Sequence, residues 1–262
     1  MKIIVPVKQV PEVAEVKVNP DTGTLIRDGV PSILNPFDEL AVEAAIQLKE
    51  AHGGEVTIIT MGPPQAKDAI YKALAMGGDK AVHMTDRAFA GADTWATAYT
   101  LGKQIEKMEF DLIICGKQAI DGDTAQVGPE IAEVLGIPQI CYARHIEMTE
   151  DGKSVIVHRE TDEGYEVVKA RLPVLITATK GLNEPRLPNI MGIMKAKKKP
   201  LEEVNAESLG VPEDEIGLKG SPTQVRKVFP PEKKAGGIKV EVEDPKEVAK
   251  KLVEFLAEKG AI

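Results

Sequence analysis

Apolar positions along this chain alternate between two patterns. Residues 2–7, 55–61, 80–84 and 111–115 are short runs rich in β-branched side chains, predominantly apolar and continuous rather than alternating. That is the pattern of strands covered on both faces of a sheet. Between them, apolar residues recur at helical spacing. Asn35-Pro36-Phe37-Asp38-Glu39 offers an N-cap, a proline at the first helical position and acids in the first turn. The helix it opens runs through Leu40, Ala44, Ala45 and Leu48 to a stop at Gly53-Gly54. A second is predicted near residues 63–76, ended by Gly77-Gly78, and a third follows Asp93 through Trp95 and Leu101 to about residue 107. A fourth is predicted from about Thr124 to Leu135, with Gly136 and Pro138 beyond it. Strands alternating with helices imply βαβ units. The expected fold is α/β: a Rossmann-like, doubly wound, mostly parallel sheet.

The pattern changes after about Ile140. Residues 144–149, 154–159 and 166–171 are short strand-like runs divided by Glu150-Asp151-Gly152 and Asp162-Glu163-Gly164. They predict an antiparallel meander on the sheet edge. Residues 173–178 add another buried-type strand. From Gly181 onward regular pattern fades: Pro185, Pro188, Pro200, Pro212, Pro222, Pro230 and Pro231 punctuate a stretch holding one basic run, Lys195-Ala-Lys-Lys-Lys199. A last helix is signalled by Asp244 and Pro245, then Val248, Leu252, Val253 and Leu256. So long an irregular segment in a compact chain is ordinarily functional. We read it as an extended C-terminal arm that packs on another subunit.

Composition removes several function classes. The chain has 262 residues and a net charge of −8, which disfavours a general nucleic-acid binder. Two cysteines cannot hold an iron–sulfur cluster of the usual four thiolates, and the four histidines share no ligand spacing, so no metal site is expected. Cys115 and Cys141 read as small core residues. No apolar run reaches the roughly 20 residues of a membrane span, and the opening Met1-Lys2-Ile3-Ile4-Val5-Pro6-Val7 is too short for a signal peptide. A cytoplasmic protein of a reducing compartment is expected.

No Walker-type or Gly-x-Gly-x-x-Gly phosphate loop is present; Lys8-Gln9-Val10-Pro11 follows the first strand instead. No local nucleophile–base motif stands out. The densest candidate is the crossover from Cys115 to Pro129, rich in Gly, Asp, Thr and Gln. It leaves the carboxyl end of a buried strand, where ligands bind in open α/β sheets. Gly116 and Gly122 permit close backbone approach, Asp121 or Asp123 could cap the following helix, and the N–H groups near Thr124, Ala125, Gln126 and Val127 could face a diphosphate. A plain Asp-Gly turn before a capped helix would need no ligand, but two to six residues would then suffice. Asn35-Pro36-Phe37-Asp38 and Met61-Gly62-Pro63-Pro64 open helices at the same sheet edge. On spacing alone Asn35 is a helix cap. The basic run is either a solvated surface segment or a docking patch for an acidic partner.

From Asp111 to Pro129 the sequence resembles the β subunit of electron-transfer flavoproteins. Asn35-Pro36-Phe37-Asp38-Glu39 resembles that family's helix start, and Val157 through Arg159 and Gly164 to Thr177 its signature segment. Leu182-Asn-Glu-Pro-Arg186 leading to Lys195-Ala-Lys-Lys-Lys199 resembles its partner-recognition loop, and Gly220-Ser-Pro-Thr-Gln-Val225 extends the match. The string from Asp121 to Pro129 resembles the electron-bifurcating type. The resemblance implies a heterodimer with an FAD-holding α subunit. It also implies a nucleotide site in this subunit that takes FAD, with AMP there in single-flavin members. NAD enters as the substrate NADH, whose hydride supplies two electrons. One reaches an acyl-CoA dehydrogenase or quinone reductase through the α-subunit FAD, the other ferredoxin or flavodoxin. Carried over by position, Pro6, Val7 and Lys8 lie beside the nucleotide, and Asn35, Asp38 and Met61 line it. Gly116, Gln118, Asp121, Gly122, Asp123, Thr124, Ala125, Gln126 and Val127 hold its ribose and diphosphate. No catalytic side chain is implied. The expected organisation is a nucleotide-binding domain over 1–180, a recognition loop over 181–200 and an arm over 201–262. Leu187 or Ile190 would anchor docking, with Lys195 and Lys197 beside it.

Overall fold

The computed structural model describes residues 1–12, 31–226, 239 and 244–262. They fall into two units, Met1–Lys227 and Val228–Ile262. The first unit opens with β1 (Lys2–Pro6), β2 (Gln9–Pro11), β3 (Ser32–Leu34), α1 (Pro36–His52), β4 (Glu55–Met61), α2 (Lys67–Met76), β5 (Lys80–Met84), α3 (Thr94–Ile105), β6 (Leu112–Gly116) and α4 (Val127–Leu135). It continues with β7 (Gln139–Met148), β8 (Ser154–Thr161), β9 (Gly164–Arg171), β10 (Val174–Ala178), α5 (Ile190–Ala196), β11 (Leu201–Val204) and α6 (Ala206–Leu209). Nine strands form one sheet in the order β11-β5-β4-β1-β6-β10-β7-β8-β9, and β2 and β3 pair separately. From β11 to β7 neighbours are parallel; β7-β8-β9 is an antiparallel meander. This is the predicted α/β class.

The continuous apolar runs have a direct cause. Successive residues of a strand point to opposite faces, and here both faces are covered. Ile3, Val5, Ile58, Leu112 and Ile114 join Ala41, Ala45 and Ile46 of α1 and Ile70 and Leu74 of α2 in one core. Ile4, Ile59, Ile113 and Leu175 join Ala98, Leu101 and Ile105 of α3 and Ile131 and Ala132 of α4 in the other. The two helix pairs sandwich the sheet and leave its strand ends open, which is where the crossovers lie.

Two expectations need correction. Regular structure does not fade at Gly181: Asn189 caps α5 through its side chain, and β11 adds a parallel edge strand, with Leu201 opposite Ala81 and Val204 opposite Met84. The first unit therefore continues well past residue 180. Nor does α4 begin at Thr124, because Asp123 and Ala125 take left-handed backbone (φ 51° and 54°) and delay it to Val127. In the second unit the signalled helix is present as α7 (Pro245–Glu258), its first turn capped by Asp244 through the Lys246 N–H. Leu252, Val253 and Phe255 are exposed within that unit. Pro230 and Pro231 lie outside the described residues. Among the described residues no helix is long and apolar enough to cross a membrane.

Candidate functional site

The carboxyl ends of β1 and β6 are adjacent in the sheet, and the segments leaving them are tied to the start of α1. After β1 the chain stays bonded to β4: the Val7 N–H donates to the Ile59 carbonyl (2.8 Å), and the Thr60 hydroxyl donates to the Val7 carbonyl (2.6 Å). Pro6 and Val7 are buried there. The Lys8 N–H then donates to Asp38 Oδ2 at 2.7 Å, and the Asn35 N–H to the Lys8 carbonyl at 2.9 Å. Asp38 sits in the first turn of α1, almost wholly buried. Burial pushes its carboxyl up to about 7, against the opposing pull of the Asn35 side chain and the Lys8 and Gly116 N–H groups.

Gly116 is required at the end of β6. A Cβ there would lie 2.2 Å from Asp38 Oδ1 and 2.8 Å from the Asp38 nitrogen, so only glycine lets β6 approach α1 this closely. Asn35 precedes α1 but does not cap it through its side chain. Its amide reaches across instead: Nδ2 donates to the Gln118 carbonyl (2.8 Å), and Oδ1 accepts from the Ile120 N–H (3.2 Å). The cap expected from spacing is thus a tether for the long crossover.

That crossover is also held from its exposed side. Lys8 Nζ meets both carboxylate oxygens of Asp121 (2.7 and 2.9 Å), and Gln118 Nε2 donates to Asp123 Oδ1 (2.7 Å). Neither aspartate caps α4, contrary to expectation. Gln126 occupies the N-cap position with no side-chain bond, so the first N–H groups of α4 have no side-chain cap. Asp121, Gly122, Asp123, Thr124 and Gln126 are exposed, and Ala125 and Val127 half-buried. A Cβ on Gly122 would meet nothing within 4 Å. The crossover is therefore a tethered, open rim with polar groups and a partial positive charge from the helix end.

Met61 ends β4 at the same sheet edge, two strands from β6 and half-buried. The following Gly62 is fixed by its N–H to the Met84 carbonyl (3.0 Å) and by His83 Nε2 against its own carbonyl (3.2 Å). Burial holds the His83 ring below the ordinary histidine range.

Two features of the site were not read from the sequence. Gly128 in the first turn of α4 lies where a Cβ would meet Cys115 Sγ at 2.7 Å and Thr177 Cγ2 at 3.1 Å, so it lets the helix seat directly on β6 and β10. A glycine in a helix start was the available signal. Tyr142 adopts φ 64° within β7, its N–H donating to the Thr177 hydroxyl (2.9 Å), and its ring lies 5.3 Å from Lys117 Nζ. A bulky residue in that region is a genuine outlier. No local signal marks it, because the irregular register between β10 and β7 is a tertiary feature.

The recognition-loop residues cluster elsewhere on the first unit. Leu187 is 91% exposed and Ile190 78%, with Met191, Ile193 and Met194 of α5 exposed beside them. Lys195 and Lys197 are exposed, but Lys199 is not a free charge: its ammonium bonds the Leu74 and Gly78 carbonyls at the end of α2. Cys115 is buried and Cys141 half-buried; burial raises both thiols, so neither is a reactive thiolate. Among the described residues no group of three His, Cys, Asp or Glu side chains is placed to hold a metal ion.

A mostly parallel sheet covered by helices on both faces, with a tethered polar crossover at its carboxyl edge, defines a Rossmann-like α/β protein. Residues 22–209 match the electron transfer flavoprotein domain, and the chain belongs to that family, with electron transfer as its activity. It is 52% identical over 257 residues to the electron transfer flavoprotein subunit beta of Megasphaera elsdenii, spanning 95% of this chain and 94% of that one. It is 51% identical over 263 residues to the same subunit of Thermoanaerobacterium thermosaccharolyticum, spanning all of both. The caffeyl-CoA reductase-Etf complex subunit CarD of Acetobacterium woodii is 48% identical over 264 residues, again over the whole of both. The resemblance to β subunits read from residues 111–129 is upheld along the full chain.

Proposed function

We propose that this chain is the β subunit of a bifurcating-type electron-transfer flavoprotein and holds FAD against the crossover between β6 and α4. The observation that carries this reading is that the aspartates of that crossover are held by Lys8 and Gln118 while α4 starts without a side-chain cap. A diphosphate suits such a helix end, where N–H groups and the helix dipole both favour negative charge. Gly122 leaves open space beside it, and the left-handed Asp123 and Ala125 hold the chain out of the helix until Val127. FAD held there would supply the redox chemistry, two-electron exchange with NADH and one-electron exchange with the acceptors. The chain's own part is positional: Asn35 and Asp38 fix the two crossovers, and Lys8 sets the charge beside Asp121.

The apolar face of Leu187, Ile190, Met191, Ile193 and Met194, flanked by Lys195 and Lys197, is the docking surface in this reading. Its partner is an acyl-CoA dehydrogenase or quinone reductase with an apolar cleft and an acidic rim, and the caffeyl-CoA reductase named with one relative favours the former. α7, with its exposed apolar residues, belongs to the arm that packs on the FAD-holding α subunit. Ferredoxin or flavodoxin takes the second electron, and the assembly works in the cytoplasm.

The test is the nucleotide content of the purified heterodimer. Two FAD per heterodimer are expected; one FAD with one AMP would sink the bifurcating reading and leave a single-flavin carrier. Asp123→Ala removes the bond from Gln118 that holds the crossover, and is expected to lower nucleotide retention about tenfold through the lost geometry of the rim, with the melting temperature little changed. Unchanged retention would remove the diphosphate from this crossover.

A further inference from the structure

The exposed apolar loop is anchored with unusual completeness one residue before its most exposed side chain. Arg186 lies between Pro185 and Leu187. Its Nε and Nη2 donate to the two oxygens of Glu43 (2.8 and 3.0 Å), while Nη1 and Nη2 donate to those of Glu50 (2.6 and 2.9 Å). Its backbone N–H adds a bond to Glu43 Oε2 (3.1 Å). Glu43 and Glu50 stand two turns apart on α1, so one guanidinium bridges a full stretch of that helix with both edges of its fork. The Glu43 side chain is only 4% exposed, and Gln47 Nε2 bonds it as well (2.9 Å). Burial opposes the charge of Glu43, yet the Arg186 bonds hold its carboxyl below the usual range, and they lower Glu50 too.

The same segment is fixed at further points. Asn183 Nδ2 donates to the Leu40 carbonyl (2.9 Å) three residues upstream. Downstream, a Cβ on Gly192 would lie 2.5 Å from the Ala75 carbonyl oxygen, so α5 is seated directly on the end of α2. Lys199 closes the segment on the Leu74 and Gly78 carbonyls. Five exposed apolar side chains thus project from a stretch tied to α1 and α2 at four places, through Asn183, Arg186, Gly192 and Lys199. An apolar loop left free would lose conformational freedom on binding; one already fixed does not.

We infer that Arg186 is a positioning residue that preorganises the docking face, holding Leu187 and the start of α5 in their binding geometry through Glu43 and Glu50. This rests on the docking reading above. The partner it serves is a protein with a shaped apolar cleft, for which the placement of the apolar side chains, and not merely their presence, sets affinity. Lysine cannot replace the fork, since one ammonium cannot serve two carboxylates bidentately.

The experiment uses the intact heterodimer with a purified acyl-CoA dehydrogenase as the docking partner and a small dye acceptor as control. Three variants are compared: Arg186→Lys, Glu50→Gln and Leu187→Ala. Glu50→Gln matters because it loosens the clamp while leaving the buried Glu43–Arg186 pair intact. Arg186→Lys and Glu50→Gln are expected to raise KM for the dehydrogenase about tenfold and about threefold, with kcat and dye reduction unchanged. Backbone amides of residues 187–194 are expected to exchange faster in both. Leu187→Ala is expected to raise KM without altering that exchange. If Leu187→Ala leaves KM unchanged, the docking reading falls and the clamp falls with it. If Leu187→Ala raises KM but the two clamp variants leave KM and exchange at wild-type values, the positioning role alone is overturned.

Discussion

Two crossovers of this molecule leave the carboxyl ends of parallel strands and open helices, and they spend their aspartates differently. Between β5 and α3, Asp86 accepts the Ala88 and Ala206 N–H groups (both 3.0 Å). Asp93 accepts the Ala96 N–H (3.0 Å) and both the N–H and hydroxyl of Thr223 (2.8 Å each). That helix start is closed by the protein itself. Between β6 and α4, Asp121 and Asp123 bind Lys8 and Gln118, two residues take left-handed backbone, and the helix start keeps no side-chain cap. Left-handed non-glycine residues cost about 1–3 kcal/mol each and persist where the surroundings impose them. Residue type alone did not separate the two crossovers. What separates them is which groups the carboxylates face.

The sharpest way to break that contrast is at the glycines of the second crossover. Gly116→Ala drives a methyl into Asp38 and the backbone of Phe37, where nothing flexible can yield. It should cost about 3 kcal/mol, an overpacking penalty, and lower the melting temperature by roughly 6–12 °C. Gly122→Val adds more atoms but meets open space. Its stability should stay within about 0.5 kcal/mol of wild type while nucleotide retention falls. Thermal melts and adenylate content of both variants decide the matter. Equal stability loss in the two would mean that the crossover is simply packed structure.

The parts legible in the sequence were those set by local pattern. The central strands could be read because alternate residues feed two cores, as Ile3 and Ile4 do. β11 could not: Leu201-Glu-Glu-Val204 is an edge strand of four residues, bonded on one side only. In the site, the density of Gly and Asp between residues 115 and 129 marked the crossover, and the start of α3 just after Asp93 was read from the pattern. The role of Asn35 was illegible because its partners lie more than eighty residues away, at Gln118 and Ile120. The start of α4 was misplaced for a related reason. The left-handed backbone of Asp123 and Ala125 delays the helix, and the tethers to Lys8, Asn35 and Gln118 that hold the crossover are long-range or side-chain contacts with no local signal.

A second contrast is in pH, because the carboxyl packed against the end of β6 and the one within the β5–α3 crossover are shifted in opposite directions. Asp38 is raised to about 7 by burial, from an ordinary value of 3.8. The folded protein then binds more protons than the unfolded chain between those values, so Asp38 makes stability fall as pH rises from about 4 to about 7. Asp93 is opposed by burial but held below 3.8 by the Ala96 and Thr223 bonds, so its contribution is present above that value and lost as pH falls through the folded one. Denaturant unfolding from pH 3 to 8 should show Asp38→Asn flattening the upper part of the profile and Asp93→Asn the acid part. Coincident profiles for Asp38→Asn and wild type would show that Asp38 is ionised at little expense and is not a buried tie.

A small stability effect is also expected at Lys8, where the contrast between structural and ligand-facing charge is most direct. Its ammonium is paired with Asp121, but the side chains are 50% and 29% exposed, so the pair is screened by water and salt. Lys8→Gln should therefore cost under about 1 kcal/mol, and the difference should vanish in high salt. The backbone bond from Lys8 to Asp38 is untouched by the substitution, so the crossover geometry stays. If the rim faces an anion, however, the lost charge acts on the ligand and not on the fold, and nucleotide retention should fall about tenfold at low salt. The two readouts should thus separate for Lys8→Gln as they do for Gly122→Val. A variant that melts normally and keeps its nucleotide would place Lys8 with Asp86 and Asp93, among charges that serve only the protein.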